Sequence, residues 1–217
     1  MDNFIHGIDV SRRQGSQIKW SAVFAEGQKY TFIKTTDGVS YKEPFIQLGR
    51  NNAIAAKAAG LKIGYYHFAQ PTNLGGLEAD AVNEANYFLS TIENGFPAPN
   101  FPLVLDYEGL GSPISPLESK TWIETFNKVI TDAGHSLILY SYKPFLDQNL
   151  PKGHGLGNIP LWIARYPSVF NPNIPPKLPN GWNSWAIWQY SAKGTSKGIP
   201  NLLVDLNIMK PEFFNKY

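Results

Sequence analysis

Short apolar runs punctuate the chain at 7–10, 30–35, 61–68, 101–107, 136–141, 161–164, 184–190 and 202–206. Each has the length of a buried strand. Between the early runs the apolar spacing becomes helical. Residues 44–59 carry Phe45, Leu48 and Ala55 and meet a stop at Gly60. Residues 77–92 bring Leu77, Ala81, Ala85, Phe88, Leu89 and Ile92 near one face. Residues 117–133 place Trp122, Phe126, Val129 and Ile130 on a stripe that ends at Gly134. Strands alternating with helices predict parallel pairing through βαβ crossovers. About eight strands in 217 residues predict an α/β fold, a compact TIM-like (β/α) barrel. From 151 to 200 the chain is rich in Pro, Gly and Asn, and the stretches at 150–155 and 171–181 read as loops. The barrel is therefore expected to be irregular, with reduced helices in its second half. No composition shift marks a linker, so residues 1–217 are expected to form a single domain.

Composition narrows the chemistry. The net charge is only +2 and no Lys/Arg run occurs, which argues against a nucleic-acid partner. The absence of Cys excludes a disulfide framework, a thiolate zinc site and a cysteine nucleophile. No run approaches the roughly 18 apolar residues of a membrane span, so membrane insertion is not expected. The amino terminus, MDNFIHGIDVSR, lacks a basic region followed by an apolar stretch, so no signal peptide is expected. Aromatic residues reach 14%, a surplus that fits either a core or sugar stacking.

The acids carry the functional signal. Asp9 closes the first strand, Asp106 and Glu108 the fourth and Asp205 the eighth, and the second runs on through Thr36 to Asp37. In a parallel barrel the active site lies at the C-terminal ends of the strands. The first and eighth strands of a closed barrel are neighbours, so Asp9 and Asp205 are expected to meet. On the fourth strand alternation puts Val104, Asp106 and Glu108 on one face. Two acids about 6–7 Å apart along a strand repel each other, so burial and repulsion should leave one protonated and the other ionised. Glycoside hydrolysis uses that division: a proton donor for the leaving oxygen and an anion for the developing positive charge.

Other constellations are weaker. His67 reads first as a buried, hydrogen-bonded histidine. A metal site from His6, Asp9 and His67 has no supporting spacing, and neither a metal nor any other cofactor is expected. Ser11, Ser141 and Ser191 lack a nucleophile-elbow context. Gly75-Gly76 stands without the Lys of a phosphate loop. Trp188 and Tyr190 share a face by alternation and either fill the barrel or line a sugar cleft.

The chain resembles the glycoside hydrolase family 25 lysozymes, the Chalaropsis type, and especially the phage endolysins among them. The resemblance rests on Gly7-Ile8-Asp9-Val10-Ser11, Tyr66-His67-Phe68-Ala69 and Leu103-Val104-Leu105-Asp106-Tyr107-Glu108. It continues through Tyr140-Ser141-Tyr142-Lys143-Pro144-Phe145, Leu161-Trp162-Ile163-Ala164-Arg165-Tyr166, Trp188-Gln189-Tyr190-Ser191 and Val204-Asp205-Leu206-Asn207, in that order. It implies a flattened, irregular barrel and an N-acetylmuramidase acting on bacterial peptidoglycan. The family's catalytic glutamate falls on Glu108, its D-x-E aspartate on Asp106, and its supporting acids on Asp9 and Asp205. Many members carry Glu where this chain has Asp37. Asp37, Tyr65, His67, Tyr140, Trp188 and Tyr190 stand as substrate-binding candidates.

The expected partner is bacterial peptidoglycan, met by a monomer without a visible wall-binding module. Without a leader in this sequence, a wall-directed enzyme would be released by lysis or holin-type export, or would have had its leader removed. Two rivals remain. A chitinase-like hydrolase would want a further Asp where the chain has Val104, and a non-catalytic peptidoglycan- or chitin-binding barrel would have no need of Asp106 and Glu108. Because Asp106 and Glu108 rise from one strand, they approach a sugar from one side. A substrate-assisted mechanism with retention of configuration is therefore expected.

Overall fold

The computed structural model describes residues 3–217. Eight strands close a barrel in chain order: β1 Ile5–Val10, β2 Tyr30–Asp37, β3 Lys62–Phe68, β4 Leu103–Asp106, β5 Leu137–Tyr142, β6 Leu161–Ala164, β7 Ile187–Ser196 and β8 Ile199–Met209. The expected strands are all present, most within a few residues of their predicted bounds. Neighbours from β1 to β7 pair in parallel. The expectation of parallel pairing fails at β8, which runs antiparallel to both β7 and β1. The reason is local. Only Lys197-Gly198 separates β7 from β8, and so short a turn can join strands only as a hairpin. Asp205 consequently lies within β8 rather than closing it, directly opposite Asp9 in the register.

The helices are α1 Trp20–Ala25, α2 Glu43–Ala58, α3 Leu77–Glu93, α4 Pro116–Asp132, α5 Lys143–Asn149 and α6 Pro211–Lys216. α4 starts on a capping box, with Ser115 Oγ accepting from the Glu118 N–H and Glu118 Oε2 accepting from the Ser115 N–H. α1, α5 and α6 are too short to have shown a period. The thinning of the second half is as expected: α5 has seven residues, and no α-helix lies between β6 and β7. No helix among the described residues is long and apolar enough to cross a membrane.

Two apolar layers result. Outside the sheet, Ile33, Ile63, Phe88, Trp122, Phe126 and Trp188 join one buried cluster under the helices. Inside, Tyr30, Phe32, Phe101 and Trp162 belong to a second cluster, with Phe32 packed at 4.8 Å on Trp162 and 5.4 Å on Phe101, centroid to centroid. The lower barrel is thus solid, and any site must lie above it. Gly64 makes room for this stack, because a Cβ there would lie 2.2 Å from the Phe32 ring. Gly64→Ala should therefore cost about 1–3 kcal/mol by overpacking. The check is a urea melt with a lower midpoint and an unchanged slope.

Candidate active site

Above the aromatic plug a cleft of about 630 Å³ opens, lined by Asp9, Asp106, Glu108 and Asp205 together with Lys34, Arg13, Tyr66, Phe68, Tyr140, Trp162, Tyr166 and Gln189. This size suits a ligand of a few sugar rings, since ligand pockets run about 300–1,000 Å³. The acids that the sequence dispersed along the chain share one cavity because all four stand at the same end of the barrel. On the long antiparallel β8 the matching level falls mid-strand, where Asp205 stands opposite Asp9.

Asp9 is held by amides. Its Oδ1 accepts from Gln189 Nε2 at 2.9 Å and from Asn207 Nδ2 at 2.7 Å. The orientation of each amide is fixed in turn. Trp162 Nε1 donates to Asn207 Oδ1 at 2.9 Å. Gln189 Oε1 accepts from the Tyr140 hydroxyl at 2.9 Å and from the Tyr166 hydroxyl at 2.5 Å. The amides that hold Asp9 Oδ1 are thus themselves oriented by fixed donors. Burial and the facing Asp205 raise Asp9 well above the usual carboxylate range, outweighing the two amide donors. Burial raises Asp205 as well, so the facing pair Asp9 and Asp205 resists carrying two charges.

Asp106 and Glu108 form the second acidic pair. Asp106 is 7% exposed, and its Oδ1 is buried without a hydrogen-bond partner. Burial, then the neighbouring Glu108 charge, raises Asp106 well above the ordinary range, and Lys34 opposes the rise. Burial and Asp205 raise Glu108, against Lys34 and the neighbouring Tyr140 hydroxyl. Like charges a few ångströms apart in a half-dry cleft cannot all ionise near neutral pH. The site therefore holds both a proton to give and a carboxylate to stabilise positive charge, the combination general acid catalysis needs.

The remaining candidates divide. Tyr140 lines the cleft. Asp37 lies just outside it, where it accepts from Lys34 Nζ at 2.6 Å and Gln70 Nε2 at 3.1 Å. The structure corrects the placement of the other four. Tyr65 points outward, and its hydroxyl donates to the Pro97 carbonyl at 2.6 Å; its neighbour Tyr66 is the cleft residue. His67 is fully buried behind the sheet, between Thr36 Oγ1 at 2.8 Å and Glu84 Oε2 at 2.7 Å, and stacks on Phe126. Trp188 is buried outside the barrel and donates from Nε1 to the Arg165 carbonyl at 2.8 Å. Tyr190 stacks on Phe170 at 3.8 Å in the outer layer. Each of these strands has two buried faces, so alternation sorted the residues into faces without saying which looks inward.

His67→Ala should therefore act on stability. It removes the imidazole from Glu84, which is 2% exposed, and taking a hydrogen-bond partner from a buried polar group costs about 1–3 kcal/mol. A denaturant melt measures the loss. The KM of the protein that remains folded should not change.

Sequence reasoning missed Gln189, Asn207, Tyr66, Tyr166, Trp162 and Lys34. Asn207 was within reach, since it shares a strand face with Asp205. Lys34 was not. The register slips between Lys34 and Thr36, and this bulge turns Lys34 into the cleft while Thr36 faces His67 behind the sheet. Among the described residues no group of three or more His, Asp or Glu side chains is placed to hold a metal ion.

Comparison with known proteins agrees with this geometry. The family model described as Glycosyl hydrolases family 25 matches residues 8–199. The chain is 31% identical over 204 residues to Lysozyme M1 of Streptomyces globisporus, covering 90% of this chain and 64% of that protein. It is 34% identical over 200 residues to the lysozyme of Streptococcus phage Cp-7, covering 88% of this chain and 52% of that one. The chain thus spans between half and two-thirds of these relatives' lengths. Among solved structures, the bacterial lysozyme from Streptomyces coelicolor superposes with a TM-score of 0.77 at 29% identity, over 97% of this chain and 94% of that one.

Proposed function

Because the chain belongs to glycosyl hydrolase family 25, we propose that it is a lysozyme of the N-acetylmuramidase type. Its substrate is bacterial peptidoglycan, and the bond cleaved is the β-1,4 link between N-acetylmuramic acid and N-acetylglucosamine. The place of action is the bacterial cell wall.

One observation carries the mechanism. Asp106 and Glu108 leave the end of one strand two residues apart, and Asp106 keeps a buried, unpartnered oxygen. Both acids meet the sugar from one side, so the pair does not flank the anomeric carbon as two-carboxylate mechanisms require. The nucleophile is the substrate's own 2-acetamido oxygen. Glu108 gives its proton to the glycosidic oxygen as the bond to the anomeric carbon breaks. The acetamido oxygen bonds to that carbon, and Asp106 Oδ1 accepts from the acetamido N–H as positive charge spreads onto it. Ionised Glu108 then takes a proton from water, whose oxygen opens the cyclic intermediate. Two inversions give net retention. Asp9, locked by its amides and bonded to Asp205, shapes the opposite wall and holds Asp205 in place.

The test is digestion of purified cell walls with analysis of the products. The expected result is N-acetylmuramic acid at the new reducing ends, with the β anomer formed first by NMR. New reducing ends of N-acetylglucosamine would reassign the bond. A first-formed α anomer would replace this mechanism by inversion, with Asp205 as the base. Wall binding without turnover would make the barrel a binding module.

A further inference from the structure

The cleft holds four acids against two cations, Lys34 and Arg13. Burial raises Asp205, and Arg13 opposes that rise. Lys34 is the cation that acts on both Asp106 and Glu108. Yet Lys34 bonds to neither. Its Nζ is bound by Asp37 Oδ2 at 2.6 Å and lies over the Phe68 ring at 4.2 Å from the centroid. Asp37 is itself braced, its other oxygen accepting from Gln70 Nε2 at 3.1 Å. The Gln70 backbone N–H donates to both oxygens of buried Glu84, at 3.2 and 3.1 Å. A tether thus runs from the outer layer to the cleft, and at its end the Lys34 ammonium is bonded to Asp37 and to neither acid of the working pair.

We propose that Lys34 supplies the positive charge that keeps Asp106 ionised, and that Asp37 is a positioning residue that ties Lys34 back so that Asp106 Oδ1 stays open for the substrate. The proposal rests on Asp106 and Glu108 being the working pair.

The unpartnered oxygen of Asp106 is the independent sign of this arrangement. A carboxylate buried without a partner is costly, and a lysine within electrostatic reach would satisfy it directly if free to do so. Asp37 supplies the competing carboxylate. The groups facing the pair are Asp9 from β1, Arg13 from the turn after it, Lys34 and Asp37 from β2, Tyr66 from β3, Tyr140 from β5, Tyr166 after β6 and Asp205 from β8. Within that set, loss of Lys34 and loss of Asp37 push the pair in opposite directions. Removing the cation raises both acids. Removing Asp37 deletes a negative charge and frees Lys34 to close on Asp106, and both effects lower it.

The experiment combines carboxyl ¹³C NMR titration with pH profiles of wall lysis, for the wild type and for Lys34→Met, Lys34→Arg, Asp37→Asn and Asp37→Glu. In Lys34→Met the Asp106 titration should move up by about one unit or more, the effect expected of a lost opposite charge nearby. The acid limb of kcat/KM should follow it, so activity falls about tenfold for each unit of pH below the limb. Lys34→Arg should restore the limb. In Asp37→Asn the titration should move down, while kcat at the optimum falls about 10²-fold because Lys34 occupies the acetamido acceptor, the order expected when one electrostatic contact to the transition state is lost. Asp37→Glu should recover turnover. An unmoved Asp106 titration in Lys34→Met overturns the role of Lys34, whether or not the protein lyses walls. Full kcat in Asp37→Asn overturns the tether. These titration shifts in the variants of a protein whose wild type lyses no walls would refute the proposed function and leave the charge assignment standing.

Discussion

Glu108→Gln should abolish lysis while leaving the barrel folded. The amide keeps the shape of the side chain and loses the transferable proton. Loss of general acid catalysis alone costs about 10²–10⁴-fold in rate, and here the same residue must also activate water in the second step. A loss near or beyond the upper end of that range is expected, measured as turbidity clearance of cell walls. Stability should move the other way. Folding raises Glu108 above its ordinary value, so the folded state binds the proton more tightly than the unfolded chain. Ionised Glu108 then costs stability at pH above its unfolded value, and that cost grows until the folded value is passed. Gln carries no charge to desolvate, so the variant should melt at or above the wild-type temperature at neutral pH. A melting temperature that falls along with activity would mean that the loss reflects misfolding. Retention of half the activity would place the acid elsewhere.

Asp106→Asn should be comparably severe by a different route. The side chain keeps its place beside the 2-acetamido group, but an amide cannot carry the negative charge that offsets the developing cation. Losing one preorganised electrostatic contact to a transition state costs about 10²–10³-fold in kcat. Because the carboxylate acts mainly as charge builds, kcat should fall far more than KM rises. A variant with unchanged kcat and a raised KM would mean that Asp106 only binds the ground state.

The candidate acids were legible because strand ends are legible. The apolar stretch 101–105 followed by Asp106 and Glu108 places two carboxylates at the mouth of any barrel built from it. Asp9 and Asp205 follow from the same logic, although β8 runs opposite to the direction assumed. Tyr65 and His67 show where that reading stops. They flank Tyr66 on a strand buried on both sides, and nothing in their spacing separates the wall of a cleft from the underside of a helix layer. The helix layer claimed them, because Glu84 and Phe126 on α3 and α4 offer His67 a complete set of contacts.

The sequence by itself determined the order of strands and helices, the thinning of the second half and the convergence of four acids. These follow from local periodicity, from turn residues and from the closure of a barrel on itself. The tertiary structure alone decided which face of each strand looks inward, since both faces exclude water and differ only in what closes over them. It also decided the bulge that swings Lys34 into the cleft, and the antiparallel β8 that sets Asp205 and Asn207 against Asp9. Those features depend on registers between strands far apart in the chain, where a slip of one residue exchanges the two faces.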